Sequence, residues 1–334
     1  MSPTEKLPPI MNSRPQSSLT ALDQTASTDA QIEQAILSTV AYRDCFDFPV
    51  TLGEIHRFLH GVRCTPQDVA RVISVSNLCH GRLETDGLYH CLAGRSAIIA
   101  GRYPRETRAQ SRLKTARKIA RVLANIPHIR MVALSGSLAA RNSTKGDDLD
   151  FFCVTEQGKL WRTRALVLCV KLMDAKTTRN KICPNFFLST AALSLDTQRM
   201  YIAHEVAQMV PMYGLDTYAR MRTQNAWVDA ILPNATQPPD MAEGLRVSAR
   251  SPVKTALEWV MQTPPGTWFE RVESERKIRR FNSEDFYDTP HTQFTKERTG
   301  QRKFIGDWVE TEWQARLAEL QSPKLAHRER KLES

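Results

Sequence analysis

The apolar residues near the start of the chain recur at helical spacing. Ile32 and Ile36 mark the buried face of a first helix, and Thr51 is placed to cap a second. Thr65-Pro66 then puts a capping residue before a proline, an arrangement typical of a helix start. The pattern predicts three short helices in succession.

A hairpin is predicted directly after these helices. Asp86-Gly87 lies between two strand-compatible runs within residues 81–92, and Asp-Gly in this context is the signal for a hairpin turn. Three helices followed by a hairpin resemble the winged-helix class, with Gln67–Leu78 as the recognition helix and residues 82–92 as the wing. That helix carries Arg71 as its only basic residue, which disfavours binding to a DNA operator.

The middle of the chain alternates between helical and strand patterns. Residues 105–123 combine Arg and Lys with apolar positions, which predicts a basic amphipathic helix that docks two domains. Residues 129–134 and 148–154 predict two strands, residues 161–173 a helix, and residues 182–188 a third strand beside the first two. This order is that of an α/β unit.

The remaining third is predicted to be mostly helical. Residues 198–231 have a helical pattern, the prolines from 238 to 265 indicate loops, residues 271–280 a solvated helix and residues 304–320 a last helix. The predicted organisation is a disordered arm over 1–29, a winged-helix-like domain over 30–104, a connecting helix over 105–128, an α/β domain over 129–235, and a helical region with loops and a charged tail over 236–334.

Composition adds a possible polyanionic partner. The 334 residues carry a net charge of +10, and 41% of them are hydrophobic, enough for a core in each of two domains. The charge fits nucleic acid or a triphosphate, or merely a well-solvated surface. If nucleic acid binds, residues 105–123 and 271–280 are the expected contacts, through phosphates.

The cysteines and apolar runs suggest the compartment. The seven cysteines include no C-x-x-C pair, and their odd number favours reduced thiols. The first 30 residues lack the apolar core of a signal peptide, and the longest apolar run, Ala165–Val170, is far shorter than the roughly 20 residues that span a bilayer. We therefore expect a cytoplasmic protein that makes no membrane contact.

The strongest candidate site residues lie between residues 131 and 154. Gly136 would let backbone approach a phosphate closely, and Ser137 adds a hydroxyl at a helix start. Asp148 and Asp150 are two apart on a predicted strand, so both carboxylates should face one way and bind a divalent metal. The plainer alternative is an ordinary turn beside a solvent-facing strand end.

These residues resemble the DNA polymerase beta nucleotidyltransferase superfamily, in which Gly-Ser is followed after about ten residues by Asp-x-Asp. Here ten residues separate Ser137 from Asp148. The resemblance covers residues 129–190, and a looser likeness to uncharacterised bacterial nucleotidyltransferase-like proteins extends through Asn225-Ala-Trp227. It implies a minimal nucleotidyltransferase fold, with a short mixed sheet flanked by helices. It also implies Mg²⁺ or Mn²⁺ as cofactor, a nucleoside triphosphate such as ATP as substrate, and pyrophosphate release toward an unidentified acceptor: a small molecule, protein or RNA.

One position departs from the superfamily pattern. A third carboxylate often lies on the neighbouring strand as general base, but the matching strand here offers Asn185, which can bind a metal and cannot take a proton. Asp174, Asp196 and Glu205 are open candidates to replace it. A catalytically degenerate nucleotide-binding protein and a nucleotide-sensing DNA-binding regulator therefore remain alternatives.

Several basic and aromatic residues are assigned by pattern alone. Arg141, Lys145 and Arg162 are predicted to bind the triphosphate, with Arg164 as a further candidate. Trp161 could pack under a base, although a core position is favoured. Asp147 is expected to be a turn residue.

Three histidines are expected to be structural. His56 and His60 have a spacing that can hold zinc, but a packed helix face is favoured, since no further ligand pair accompanies them. His204-Glu205 lies in an apolar helical run, where a hydrogen-bonded structural pair is favoured over an active-site role.

Overall fold

The computed structural model describes residues 27–177, 182–195, 197–249, 252–283, 294–300 and 305–321. In this part of the chain it is a mixed α/β protein with 14 α-helices, a two-stranded hairpin and a four-stranded mixed sheet. The predicted N-terminal arm, apart from its last residues, and the C-terminal tail lie outside the described residues.

Four helices form the first unit: α1 (Asp29–Asp44), α2 (Leu52–Arg57), α3 (Pro66–Val75) and α4 (Asn77–Arg82). Thr51 and Thr65 cap α2 and α3 through complete capping boxes, as predicted. The single helix predicted over Gln67–Leu78 is wrong, because the chain becomes extended at Ser76. The Ser76 hydroxyl then accepts the Cys79 N–H and caps α4.

The predicted hairpin is confirmed as β1 (Leu83–Thr85) and β2 (His90–Leu92), an antiparallel pair. Asp86 stabilises the turn, since its Oδ1 accepts the N–H groups of Leu88 and Tyr89. The helices and hairpin share one core, whose members include Ile32, Ile36, Val40, Ile55, Leu59, Val69, Val72 and Leu92. The winged-helix assignment of this unit stays a prediction.

A long helix, α5 (Ala97–Ala124), connects this unit to the central sheet. The predicted helix at 105–123 is confirmed and begins eight residues earlier, with Pro104 inside it. Ala116, Ala120 and Leu123 on α5 are fully buried against the sheet. Its apolar stripe therefore packs on the sheet, and its role in docking two domains stays a prediction.

The sheet contains β3 (Ile129–Leu134), β4 (Leu149–Thr155), β5 (Ile182–Ser189) and β6 (Val210–Tyr213), in the order β5-β4-β3-β6. β4 and β5 are parallel and are connected by α7 (Leu160–Thr177), whereas β3 is antiparallel to both of its neighbours. The three strands predicted first are confirmed within one residue. β5 pairs with β4 alone among the named strands.

Both faces of the sheet are covered. Val132, Leu134, Phe151 and Cys153 pack on the face shared with α5 and α7. Met131, Ala133, Phe152 and Val154 pack on the opposite face, which is shared with α8 (Met200–Gln208), α9 (Leu215–Gln224) and α10 (Trp227–Ile231). Burial on both faces explains why these strands read as continuous apolar runs.

The helix predicted over 198–231 is wrong in its middle. Residues 210–213 form β6, which pairs with β3, and helices α8 and α9 flank it. An apolar run that includes Val210 and Met212 is compatible with a buried helix and with a buried strand. Pairing with β3, a distant segment of the chain, makes it a strand.

Gly214 joins β6 to α9 in a left-handed conformation, with φ at 76°. A Cβ there would lie 1.9 Å from the Arg130 carbonyl oxygen, a backbone atom that cannot move aside. We expect Gly214→Ala to lower the free energy of unfolding by at least about 2 kcal/mol, measured by urea denaturation. Gly244→Ala, where a Cβ meets nothing within 4 Å, is the control, and equal effects of the two would refute this explanation.

The C-terminal region contains α11 (Met241–Leu245), α12 (Pro252–Met261), α13 (Pro264–Asn282) and α14 (Gly306–Gln321). The prediction that Pro252 and Pro264 indicate loops is wrong, because each occupies the first position of a helix, where proline is tolerated. The solvated helix predicted over 271–280 lies within α13.

The last helix returns to the first. The Trp313 indole on α14 donates to the Ser38 carbonyl on α1, and Arg316 forms an ion pair with Asp44. No helix in the described ranges is long and apolar enough to cross a membrane.

Candidate functional site

The two halves of the Gly-Ser and Asp-x-Asp pattern lie against each other. Gly136 follows β3 with φ at 64° and begins the short helix α6 (Gly136–Ala139). A Cβ on Gly136 would lie 2.5 Å from Oδ2 of Asp150. The Ser135 N–H donates to the Asp150 carbonyl at 3.0 Å, which ties the end of β3 to the start of β4. Gly136 therefore makes room for a carboxylate as well as for any ligand.

Asp150 has a largely buried carboxylate. Burial raises its pKa, the charges of Asp148 and Asp147 act in the same direction, and a hydrogen bond with the Cys183 thiol opposes them. Leu149 and Phe151 point into the core, as strand alternation predicted. Asp148 lies just before β4 with an exposed side chain, close enough for its charge to act on Asp150.

Asp150 opens into a cleft of about 540 Å³, within the range of about 300–1,000 Å³ usual for small-molecule sites. The cleft lies between the β4–β5 edge, α8 and the C-terminal segments. Its walls include Gly136, Asp150, Arg164, Cys183, Asn185, Tyr201, Glu205, Phe281, Phe294 and Thr299.

Glu205 supplies a further carboxylate to this cleft from α8. Burial, and then the negative charge of Asp150, raise its pKa from 4.5 to about 7. Its Oε1 accepts the Gln208 amide at 2.6 Å. Of the three candidates named from the sequence, Asp196 lies outside the described residues and Asp174 on α7 does not line the cleft. Glu205 is thus the candidate that the structure brings to Asp150.

Asn185 lines the same cleft from a bulge in β5. In the β4–β5 register Pro184 pairs with Phe151 and Phe186 pairs with Phe152, so Asn185 is the extra residue. A bulge redirects a side chain, and proline is tolerated on an edge strand of this kind. The Asn185 side chain is exposed to the cleft, where its amide oxygen is available as a ligand.

Asp150 and Glu205 line this cleft and Asp148 lies beside it, and within the described residues none of the three forms an ion pair. Nowhere in the described part of the chain do three or more His, Cys, Asp or Glu side chains surround a position that could hold a metal ion. The donor set is carboxylate and amide oxygen, which suits Mg²⁺ or Mn²⁺ and does not suit zinc. A divalent cation at Asp150 would offset the negative charge of these carboxylates.

The hydroxyl of Ser137 makes a different contact from the one predicted. Its hydroxyl donates to Oδ2 of Asp147 at 2.6 Å, and the same oxygen accepts the Thr144 N–H at 2.8 Å. Although burial opposes it, hydrogen bonds from Ser137 and Thr144 lower the pKa of Asp147. Asp147 is therefore the turn residue that the sequence indicated, and it engages the hydroxyl predicted to hold phosphate.

The arginines of α5 hold the loop between the two halves of the pattern. Arg105 donates to the Asn142 side chain, and Arg112 donates to the Ser143 hydroxyl and to the Asp147 carbonyl, both at 2.6 Å. These arginine side chains belong to the segment predicted to contact nucleic acid if it binds. In the structure they form hydrogen bonds with other residues of the chain. They fix the loop that leads into Asp148 and Asp150.

The three basic residues predicted to bind phosphate are not brought to the cleft. Arg141 lines another cavity at the far end of α6, and Lys145 is exposed on the loop. Arg162 is buried in an ion pair with Glu270 at 3.2 Å, which corrects its assignment as a phosphate ligand. Among the described residues, Arg164 is the basic residue that lines the cleft.

Trp161 occupies the favoured core position. Its ring is 1% exposed and its indole N–H donates to the Thr295 carbonyl at 3.1 Å.

The histidines form structural contacts. His56 contacts the Cys64 carbonyl, whereas Nε2 of His60 lies 3.0 Å from Nε2 of His204. Burial lowers the pKa of His60 to about 3 and that of His204 well below its usual value, so both rings are neutral. The two-histidine zinc spacing is therefore not used. The predicted structural role of His204 is supported, but its partner is His60, while Glu205 faces the cleft.

The cleft wall also contains residues that no sequence pattern predicts to be part of a site, among them Tyr201, Cys183, Phe281 and Phe294. Tyr201 and Glu205 are four apart on α8, and this spacing places both side chains on one face of the helix. That spacing is visible in the sequence. Comparisons of this chain with protein-family models, with curated proteins and with solved structures found no match.

Proposed function

We propose that this protein is a metal-dependent nucleotidyltransferase, which transfers a nucleoside monophosphate from a nucleoside triphosphate to a hydroxyl acceptor. The observation that carries the proposal is the meeting of the Gly136 backbone, Asp150 and Glu205 in one cleft. Gly136 and Asp150 lie close together in the sequence, whereas Glu205 comes from a segment more than 50 residues further along the chain. A chance turn and strand end would not account for a carboxylate from α8 at the same position.

Asp148, Asp150 and the amide oxygen of Asn185 are the residues that would hold Mg²⁺ or Mn²⁺. The bound ion would supply positive charge to the phosphate oxygens. Asp150 is held in place by its strand, by the Cys183 thiol and by close contact with Gly136. A ligand fixed in this way loses little freedom when a cation binds.

Glu205 is proposed as the proton acceptor that replaces the carboxylate missing at Asn185. A carboxylate with a pKa near 7 accepts a proton effectively at neutral pH. The acceptor oxygen forms a bond to the α-phosphorus, the bond from the α-phosphorus to the β-bridging oxygen breaks, and pyrophosphate leaves. The hydroxyl proton passes to Glu205.

The remaining walls suit a nucleotide. Phe281 and Phe294 stack with ring centroids 4.6 Å apart and line the cleft, and the Arg164 guanidinium lies 5.7 Å from the Phe281 ring centroid. Apolar rings provide a surface for a base, and a guanidinium pairs with phosphate oxygens.

The experiment that tests the proposal uses the full chain with each of the four ribonucleoside triphosphates, labelled at the α-phosphate, together with Mg²⁺ and cell extract. Separating small-molecule, protein and RNA products should show one labelled class. Asp216→Asn, which changes an exposed carboxylate on α9, should behave like the native protein. No label transferred from any of the four with Mg²⁺ or Mn²⁺ would contradict the proposal.

The acid cluster should also make the metal-free protein sensitive to pH. Because the pKa of Glu205 is about 7 when folded and near 4.5 when unfolded, the folded state binds the proton more tightly, and stability falls as pH rises from 4.5 to 7. Each unit of raised pKa corresponds to about 1.4 kcal/mol. Thermal unfolding in EDTA should show a smaller pH-dependent loss for Glu205→Gln than for the native protein.

Two comparisons complete that measurement. Glu275→Gln, at an exposed position on α13, should retain the native pH dependence. Added Mg²⁺ should raise the melting temperature of the native protein most at pH 8. Identical pH profiles for native protein and Glu205→Gln would refute the role assigned to burial of this carboxylate.

A nucleotide-binding protein without turnover is the second candidate, favoured by the amide at Asn185. It would bind the metal and triphosphate and release no pyrophosphate. The DNA-binding regulator has less support, because the recognition helix is interrupted at Ser76 and Arg71 pairs with Asp29 at 2.6 Å. Salt-sensitive binding to duplex DNA without product formation would favour it.

A further inference from the structure

A second cavity, of about 280 Å³, lies between the first helical unit and the sheet, at the opposite end of α6 from Gly136. Four arginines from separate parts of the chain line it: Arg43, Arg57, Arg102 and Arg141. The acidic residues in its wall are Glu54, Glu106 and Asp240. We propose that this cavity binds a phosphate group of a small ligand, independently of the metal cleft.

The strongest evidence for this site is the environment of Arg43. This residue is 5% exposed, and burial lowers the pKa of its guanidinium. In the described ranges it forms no ion pair with a carboxylate, and its side-chain hydrogen bond is a long one, 3.4 Å from Nη1 to Oε1 of Gln208. Its Nε is buried without a hydrogen-bond partner there. A buried guanidinium without an anion is costly, so a missing anionic partner is indicated.

Arg57 has the same deficit. Its Nη2 donates to the Ala207 carbonyl at 3.1 Å and to the Gln237 carbonyl at 2.6 Å, but no carboxylate of the described residues forms an ion pair with it. Burial lowers the pKa of this guanidinium as well. Within the described residues, both guanidinium groups thus hydrogen-bond to neutral acceptors and form no ion pair.

The acids in the wall are largely committed elsewhere. Glu54 accepts Arg102 at 2.7 Å through one oxygen and caps α2 through the other. Glu106 accepts the Tyr89 hydroxyl at 2.6 Å and lies 3.5 Å from Arg141. The charge of Glu54 acts on Arg43 and that of the exposed Asp240 acts on Arg57, but neither acid forms an ion pair with these arginines within the described residues.

Aromatic rings hold two of the guanidinium groups in position. The Arg43 guanidinium carbon lies 4.2 Å from the Phe58 ring centroid, and that of Arg102 lies 3.9 Å from the Phe48 centroid. Stacked guanidinium groups lose little freedom when they bind, and a phosphate presents several oxygens to donors that approach from different elements. The wall is therefore arranged in advance for a phosphate.

Gln208 connects this cavity to the metal cleft. Its side-chain oxygen accepts from Arg43 at 3.4 Å, and its amide donates to Glu205 at 2.6 Å. A phosphate that engages Arg43 would compete with Gln208 for the guanidinium, one side chain away from the proposed base.

Isothermal titration of the full chain with inorganic phosphate, in EDTA and at constant ionic strength, tests the proposal. Without a divalent cation the metal cleft does not contribute. We expect saturable binding at one site that weakens by about tenfold or more in Arg43→Met and in Arg57→Gln. Arg220→Gln, at an exposed position on α9, is the matched control and should leave the affinity unchanged.

Three further arms separate the outcomes. Pyrophosphate and a nucleoside monophosphate as titrants distinguish a free-phosphate source from a nucleotide. Asp150→Asn should retain phosphate binding, so failure of the proposed enzymatic function would not affect this result. Arg43→Met should be at least as stable as the native protein without phosphate, because it removes a buried unpaired charge. If that variant does not fold, Arg57→Gln and Arg141→Gln provide the same test.

Absence of saturable phosphate binding by the native protein at millimolar concentrations would overturn the proposal. An equal loss of affinity in Arg220→Gln and Arg57→Gln would also overturn it, because that result would show binding to general surface charge.

Discussion

Asp150→Asn should abolish nucleotidyl transfer and leave the fold at least as stable as before. The change removes the carboxylate at the centre of the cleft, and losing a metal ligand of this kind costs several kcal/mol in the barrier, or on the order of 10³-fold in rate. Because burial raises the pKa of Asp150, ionisation of this carboxyl group costs more in the folded protein than in the unfolded chain. The neutral amide avoids that cost.

Activity and thermal unfolding of the same preparation check this expectation together. Asp216→Asn is the control for loss of one negative charge, since that side chain is exposed on α9. Retained transfer in Asp150→Asn would disprove the assignment. A large drop in its melting temperature would instead show that Asp150 is primarily structural.

Gly136→Ala should reduce transfer nearly as far as the loss of Asp150. The backbone at Gly136 is left-handed, and the new Cβ would lie 2.5 Å from Oδ2 of Asp150, so the carboxylate must shift from its position. The left-handed conformation alone costs about 1–2 kcal/mol for a residue with a Cβ. The collision adds to this cost, and urea denaturation measures the sum.

Gly158→Ala is a matched control for that substitution. Gly158 has φ at 65°, almost the same as Gly136, yet a Cβ there meets nothing within 4 Å. It should show the cost of the left-handed backbone without any loss of transfer. In a double-mutant cycle, Asp150→Gly should recover part of the stability lost in Gly136→Ala. Additive effects of the two changes would contradict a direct collision.

The elements predicted best are those whose signal is local. The capping residues Thr51 and Thr65 were identified because a cap depends on the next three residues, and β3 and β4 were recognised by short apolar runs. β6 was missed because a strand with that composition is defined by its partner, β3, nearly 80 residues earlier. Pro252 and Pro264 were assigned to loops because proline suits a loop and a first helical turn equally.

In the candidate site, too, the local features are predictable from the sequence and the long-range ones are not. The closeness of Gly136 and Asp150 followed from a strand, a turn and a second strand in sequence order. The sequence offers Glu205 as a candidate base but does not predict where its side chain lies. That location depends on how α8 packs on the sheet, and no local sequence pattern predicts this packing. Arg162 was assigned wrongly because a positive charge on a helix does not reveal its partner, and Glu270 lies more than 100 residues away.

The central claim is that the cleft holds a divalent cation through Asp150. Titration with Mn²⁺, followed by electron paramagnetic resonance in the presence of a non-transferable triphosphate analogue, measures this directly. We expect native protein and Asp216→Asn to bind Mn²⁺ saturably, and Asp150→Asn to bind it at least about tenfold more weakly. Equal Mn²⁺ affinity for native protein and Asp150→Asn would contradict the claim.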